Sequence, residues 1–181
     1  MTVKEDIRQN LGLVHVYTGN GKGKTTAALG LALRAMGNDL NVAMIQFMKC
    51  PQYYGEYEIS KSLPNFTLLP MGRDCLVNAE KPLPEDKEAA EAALRKAEEL
   101  MHSGKYDMVI MDEVNVSIKF DLVNVDDVVK VIKNRPPCVE LVLTGRYAPP
   151  QLLEIADLVT EMKCIKHPFT KGVPARDGIE R

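Results

Sequence analysis

Six short apolar runs are spaced along this chain, and most of the stretches between them carry apolar residues at helical spacing. The runs are Leu13–Tyr17, Asn41–Phe47, Phe66–Leu69, Asp107–Met111, Val139–Leu143 and Leu158–Lys163. Val, Ile, Leu and Met fill them almost without polar alternation, which predicts strands covered on both faces. Strands that alternate with helices predict a parallel sheet. The clearest helix is Glu85–Met101, with Pro84 at its start, acids in its first turn, Ala89, Ala93, Ala97 and Leu100 on one face, and Gly104 closing it. A second runs over Val125–Lys133 and is stopped by Pro136 and Pro137; a short one follows Pro149 and Pro150. Two stretches, Lys49–Glu58 and Met71–Pro82, carry no clear period. Both follow predicted strands at their carboxyl ends, the edge at which open α/β sheets hold ligands. The stretch from Lys166 onward, rich in Gly, Pro and basic residues, reads as a loop or flap.

The turn after the first run carries the strongest chemical signal. Leu13–Tyr17 leads into Thr18-Gly19-Asn20-Gly21-Lys22-Gly23-Lys24-Thr25-Thr26, and the helical pattern Ala27–Met36 follows. In a strand, glycine turn and helix, successive backbone N–H groups and the helix N-terminus enclose phosphate. Gly23-Lys24-Thr25 fits the end of a P-loop, in which Lys24 reaches phosphate oxygens and the Thr25 hydroxyl holds magnesium. The usual spacing, G-x-x-x-x-G-K-[ST], wants glycine where this chain has Thr18; its glycines fall at 19, 21 and 23. Such a loop binds polyphosphate, yet its shape need not place the γ-phosphate where a kinase or ATPase does. The expected fold is one α/β domain, P-loop NTPase-like (RecA-like), with a mostly parallel central sheet of about six strands flanked by helices.

Other strand ends add candidates. Tyr106–Met111 closes on Asp112 and Glu113, the placement of a carboxylate that supports phosphate-bound magnesium. Either acid can meet the ion, and the second can instead polarise a nucleophile. The fifth run ends in Thr144-Gly145-Arg146, where Arg146 is set either to clamp phosphate in bidentate fashion or to stand in solvent on a turn. Glu56, within Tyr53–Glu58, reads as an acceptor for ribose hydroxyls, a metal contact, or an exposed loop acid; Lys49 is equally open. His167 is a lone histidine in Lys166-His167-Pro168-Phe169, a setting more often structural than catalytic. His15 reads as a core or interface histidine. His102 sits at a helix C-terminus, where a partly charged imidazole suits the dipole.

Composition narrows the function classes. The net charge of -2 over 181 residues argues against broad binding to nucleic acid or to an anionic membrane. Four cysteines, Cys50, Cys75, Cys138 and Cys164, make no C-x-x-C pair, which favours incidental thiols in a reducing cytoplasm over a zinc site or disulfide framework. No apolar stretch reaches membrane-spanning length, and Met1–Asp6 is no signal peptide.

From about Gly12 to Glu180 the chain resembles the P-loop type of ATP:cob(I)alamin (corrinoid) adenosyltransferase. The resemblance rests on several segments in order: Val16–Ala28; Ala43–Lys49 followed by Gly55 and Glu56; Val109–Glu113; Leu143–Arg146; and Glu161–Lys163, Lys166–Phe169, Lys171–Val173 and Gly178–Glu180. It implies that reduced corrinoid cobalt, Co(I), attacks the 5′ carbon of ATP, that triphosphate leaves, and that adenosylcobalamin forms. Gly19, Asn20, Gly21, Lys22, Gly23, Lys24, Thr25 and Thr26 would hold the triphosphate. Thr25 and Glu113 would support Mg²⁺ with Asp112 close by. Arg146, Lys166 and His167 would lie around the nucleotide, with Glu56, and the catalytic set would be Lys24, Glu113 and Arg146. The family also implies a homodimer and a reduced flavodoxin-like electron donor.

One segment departs from the family. Where aromatic side chains are expected under the corrin ring, this chain reads Met71-Gly72-Arg73-Asp74-Cys75-Leu76-Val77, and it has no Trp anywhere. Met71, Gly72, Arg73 and Leu76 are the corrinoid candidates on position; Leu76, Val77, or an aromatic such as Tyr53, Tyr54 or Phe169 would substitute, or the corrinoid preference differs. The expected organisation is residues 1–11 as an N-terminal segment covering a partner's active site, 12–165 as the P-loop domain, and 166–181 as an active-site loop. The competing readings are a P-loop kinase or ATPase of RecA-like build, and an ATP- or corrinoid-binding carrier without turnover.

Overall fold

Each of the six apolar runs forms a strand: β1 Val14–Thr18, β2 Val42–Gln46, β3 Phe66–Pro70, β4 Met108–Asp112, β5 Glu140–Thr144 and β6 Leu158–Glu161. The structure is a computed structural model that describes residues 7–50, 54–74 and 77–180. The strands form one sheet in the order β3-β2-β4-β5-β1-β6, and every pairing is parallel. Among the described residues the helices include α1 Lys24–Met36, α2 Gly55–Ser60, α3 Pro84–His102, α4 Val114–Lys119 and α5 Val125–Asn134. The last is α6 Pro150–Ile155, and a 3-10 turn, Pro168–Lys171, follows β6.

The lack of polar alternation has a direct structural meaning. Val42 and Met44 of β2 and Met108 and Ile110 of β4 pack with Ala28, Ala32 and Ala35 of α1 on one side of the sheet. Ala43 and Ile45, and Val109 and Met111, point to the other side, against Ala90, Ala93 and Ala97 of α3 and Val128 and Ile132 of α5. Successive side chains of a strand face opposite ways, so a strand with helices on both faces is apolar at every position. All five residues of β2, β4 and β5 are buried. Strand β6 departs from the expectation: it is the sheet edge, and all four of its residues are exposed, Leu158 and Val159 among them. The buried face of α3 runs through Ala90, Ala93, Leu94, Ala97, Leu100 and Met101, while Ala89 is only half-buried.

The sequence period starts α1 at Ala27, but the helix begins at Lys24, because the end of the glycine loop forms its first turn. No side chain caps that end; Gly23, with φ 120°, turns the chain into it. Helices α2 and α4 were not visible as periodic patterns, being six residues each. Among the described residues no helix is long and apolar enough to cross a membrane.

The amino ends of the strands are tied by ion pairs and by hydrogen bonds to carboxylates. Ile7 and Leu11 pack on the α1 side of the core, and Arg8 pairs with Asp107 just before β4. Of the expected N-terminal segment 1–11, residues 1–6 lie outside the described residues. At the start of β5, Glu140 accepts hydrogen bonds from the backbone N–H of Gly12 (2.7 Å) and Leu13 (2.9 Å) and lies 2.6 Å from His15 Nε2. His15 is thus the structural histidine its strand position suggested.

Burial pushes the Glu140 carboxyl up, but the hydrogen bonds from His15, Gly12 and Leu13 and the charge of His15 outweigh it and hold its pKa below the ordinary 4.5. The unfolded chain therefore takes up this proton first as pH falls. The stabilisation is fully present above about pH 4.5 and disappears as pH drops through the lowered folded value. Glu140→Gln should cost about 1–3 kcal/mol at neutral pH. It should also flatten the acid-side loss of stability in denaturant titrations run on both proteins across the acid range. Parallel acid limbs in the two titrations would refute this role.

Candidate active site

Five of the six strands end in a polar residue at the same edge of the sheet: β1 in Thr18, β2 in Gln46, β4 in Asp112, β5 in Thr144 and β6 in Glu161. The glycine loop springs from the first of them. Lys24 folds back so that its ammonium donates to the carbonyls of Gly19 and Gly21, each at 2.8 Å. Burial lowers the Lys24 pKa, with Arg146 adding to the effect and Glu113 and Asp112 opposing it. The residues after β6 brace the loop from outside: Gly21 N–H donates to Met162 O (2.7 Å), and Met162 N–H donates to Thr18 O (2.8 Å). A Cβ on Gly19 or Gly21 would stand 2.5 or 2.7 Å from Met162 O. This close approach accounts for the shifted glycine spacing. Thr18 itself is still strand, and its hydroxyl accepts the Ala148 N–H, so no glycine is needed there.

Asp112 is fully buried, and both of its oxygens are engaged. Oδ1 accepts from the hydroxyls of Thr25 (2.8 Å) and Thr144 (2.7 Å). Oδ2 lies 3.3 Å from the Gln46 side-chain amide and 3.0 Å from the Lys49 ammonium. Glu113 follows in a left-handed conformation, φ 65°, with its N–H donating to Thr144 Oγ1 at 3.0 Å. That turn carries Glu113 away from the strand direction and toward the loop. Burial raises its pKa, Asp112 raises it further, and Lys49, Lys24 and Arg146 pull it back. Lys49 itself loses charge stability to burial, but Asp112, Glu56 and Glu113 overcompensate and raise its pKa.

A cavity of about 570 Å³ opens between these elements. The loop residues Gly21–Thr26 form one wall, Lys49 and Tyr54–Glu56 another, and Glu113 and Arg146 lie between. The C-terminal stretch contributes His167 and Gly178–Glu180. Of the sequence candidates, Gly21, Lys22, Gly23, Lys24, Thr25, Thr26, Glu56, Glu113, Arg146 and His167 therefore meet at one opening. Gly19, Asn20, Asp112 and Lys166 do not line it; Gly19 and Asp112 support residues that do. His167 holds its own turn, Nδ1 accepting the Phe169 N–H. Leu29, Tyr54 and Ile179 supply the apolar part of the lining. Gln46 and Thr144 were not singled out from the sequence, although a lone polar residue closing an apolar strand was a usable signal.

The corrinoid candidates sit beyond the cavity, past β3. Met71 N–H donates to Gln46 O (2.9 Å), and its side chain packs on the core. Gly72 N–H donates to Lys49 O (3.0 Å), and a Cβ there would lie 2.5 Å from Lys49 N, so the glycine is required by close backbone approach. Arg73 holds the buried Asp86 at 2.9 Å, and Asp86 in turn accepts the Leu83 N–H at the start of α3. Leu76 lies outside the described residues.

Comparison with known proteins agrees with this geometry. The profile of the family described as ATP:corrinoid adenosyltransferase BtuR/CobO/CobP matches residues 10–181. A corrinoid adenosyltransferase of Sinorhizobium sp is 38% identical over 171 residues, 93% of this chain and 80% of that protein. The corrinoid adenosyltransferase of Escherichia coli K12 is 35% identical, covering 93% and 85%. Corrinoid adenosyltransferase CobA of Salmonella typhimurium is 32% identical, covering 96% and 87%. Among solved structures, the flagellar accessory protein FlaH of Methanocaldococcus jannaschii superposes with a TM-score of 0.54 at 15% identity, over 89% of this chain and 78% of that one; the likeness is one of fold.

Because the atoms facing Gly21 are backbone, Gly21→Ala forces the loop to move rather than a side chain to yield. Overpacking of this kind costs about 1–3 kcal/mol. The cost should appear as a thermal midpoint lowered by roughly 2–4 °C per kcal/mol, together with weaker ATP binding by calorimetry. Unaltered ATP affinity would show that the Met162 brace does not shape the loop.

Proposed function

We infer the chemistry of the site from its lineage: the chain belongs to the ATP:corrinoid adenosyltransferase family, and it transfers the adenosyl group of ATP to a corrinoid. The proposed mechanism is displacement at the 5′ carbon of the ribose. Reduced cobalt, Co(I), supplies the electron pair, a Co–C bond forms, the C5′–O bond breaks, and triphosphate departs with that bond's electrons, giving adenosylcobalamin when the corrinoid is cobalamin. The metal of the substrate carries the reactivity. What remains for the protein is to align three atoms and to neutralise the leaving group.

The observation that carries this reading is the glycine loop opening α1, with no side-chain cap and with Lys24 and Thr25 in its first turn. Its backbone N–H groups, Lys22 and Lys24 would hold the triphosphate, and Arg146 faces the same cavity. When phosphate enters, the Lys24 ammonium can exchange its two carbonyl partners for phosphate oxygens. Mg²⁺ fits the donor set: Thr25 gives its proton to Asp112 and keeps lone pairs free, and Glu113 is a half-buried carboxylate on the cavity whose charge a cation would stabilise. Phosphate-bound magnesium takes few protein ligands, and bound there it would supply charge neutralisation for the leaving group. Asp112, with four donors already on it, suits holding Thr25 better than meeting the ion. Glu56 stands across the cavity, suited to ribose hydroxyls. Residues 166–181 act as the active-site loop in this reading, supported by His167, Gly178 and Ile179 in the cavity lining.

The corrinoid would enter from the side of Met71–Arg73, with Arg73 bracing α3 rather than touching the ring. We further propose a homodimer, a reduced flavodoxin-like donor of the electron and a cytoplasmic location. The uncovered apolar edge at Leu158 and Val159 supports the first, and the exposed thiols Cys138 and Cys164 suit a reducing compartment.

Anaerobic incubation with ATP, Mg²⁺ and chemically reduced cob(I)alamin tests the reaction. A light-sensitive adenosyl-corrinoid and one equivalent of triphosphate are expected; ADP or phosphate without a Co–C product would establish a kinase or ATPase instead, and binding without turnover a carrier. Lys24→Ala should lower kcat about 10²–10³-fold by removing a charge that offsets the leaving group. Near-normal turnover in that variant would remove Lys24 from the leaving-group site.

A further inference from the structure

Two donors span the same gap at the back of the cavity. The Lys49 ammonium lies 3.0 Å from Asp112 Oδ2 and 3.3 Å from Glu56 Oε1. The Gln46 side-chain amide reaches the same two oxygens at 3.3 and 3.1 Å. The four groups close a ring: carboxylate, ammonium, carboxylate, amide. The ring is largely shielded from water, with Lys49 13%, Glu56 16% and Asp112 0% exposed. Gln46 turns its NH₂ toward both carboxylates, although its own buried Oε1 is left without a protein partner.

The ring joins two halves of the site. On one side, Asp112 Oδ1 holds Thr25 in the first turn of α1, the phosphate half. On the other, Glu56 belongs to α2, and Lys49 also lies over the Tyr54 ring at 4.8 Å. Of α2 only Ser60 is fully buried, and Tyr57 packs half-buried against the α1 side of the core, so apolar packing fixes this short helix at one point. The Lys49–Gln46 ring supplies a fixed attachment where packing is thin.

We propose that Lys49 is a positioning residue for adenosyl transfer: together with Gln46 it sets the separation between the phosphate loop and the Tyr54–Glu56 wall, and so the line along which the C5′–O bond is broken. The proposal rests on the adenosyl-transfer reading above. The phosphates are gripped on one wall, and the ribose has to be held by the other for nucleophile, carbon and leaving oxygen to fall in line. If Lys49 is removed, two carboxylates face each other across Gln46 alone and repel. The wall moves, while the phosphate loop, braced separately by Met162, stays.

The experiment pairs two readouts on the same protein: kcat for adenosylation of cob(I)alamin, and calorimetric binding of inorganic tripolyphosphate, which engages only the phosphate half. Lys49→Met should lower kcat about a hundredfold, the cost of a misplacement on the order of 1 Å. Tripolyphosphate affinity should stay close to wild type, and Lys49→Arg should recover part of the rate. In combination with Glu56→Gln, Lys49→Met should be no worse than the more damaging single change, since both act through one ring. Gln46→Met, which removes the second strut and keeps the charges, should show the same split between rate and tripolyphosphate binding, and it serves if Lys49→Met does not fold. Tripolyphosphate affinity that falls as far as kcat would make Lys49 a phosphate ligand and overturn the proposal, as would additive losses in the double variant or an unchanged rate. Wild-type protein that yields no adenosyl-corrinoid overturns the reaction itself, a result read before any variant is compared.

Discussion

A carboxylate with no exposure to water is costly unless every lone pair is answered. Asp112 is such a group, and the site is organised around answering it. Its four donors come from three separate parts of the chain: Thr25 opens α1, Thr144 ends β5, and Gln46 and Lys49 lie at and just past the end of β2. Strand order makes this possible, because β4 lies between β2 and β5 in the sheet and Gln46 stands directly beside Asp112. Burial raises the pKa of Glu113 and the same charge raises it further, and Glu113 is the one of the two acids that lines the cavity.

Most of the fold could be read from the sequence because it follows from periodicity. The strands β2, β4 and β5 are apolar at every position since helices cover both faces, and the chain shows this plainly. Strands β1, β4 and β5 run one residue further than their apolar runs, because Thr18, Asp112 and Thr144 look like loop residues but are still paired or buried in the sheet; β2 and β6 stop short of theirs, at Gln46 and Glu161. Helix α2 escaped notice for a different reason. Polar contacts from outside the helix and one packed aromatic, Tyr57, hold it in place, and they leave no spacing signal within its own six residues. The exposed state of β6 could not be read either, because burial on each face depends on which neighbours the sheet order supplies.

The candidate site was legible where chemistry sits on a strand end or in the glycine loop, and less so where it depends on long-range approach. Lys24, Thr25, Glu113 and Arg146 fall where their motifs suggested. Arg73, a corrinoid candidate on position, pairs with Asp86, a carboxylate thirteen residues on in the first turn of α3, a contact its own segment does not announce. Gln46 went unnoticed because its partners, Glu56 and Asp112, are ten and sixty-six residues away in the chain.

The Met162 brace has a consequence for the protein as a thermodynamic system. The backbone that limits the glycine loop continues directly from β6, the bare edge of the sheet. Anything that covers that edge and shifts residues 161–163 alters the loop's affinity for its anion. By reciprocity, filling the loop changes the edge's affinity for its cover by the same factor. Nucleotide occupancy and edge occupancy would then be two readings of one coupled equilibrium, joined through the Met162 backbone.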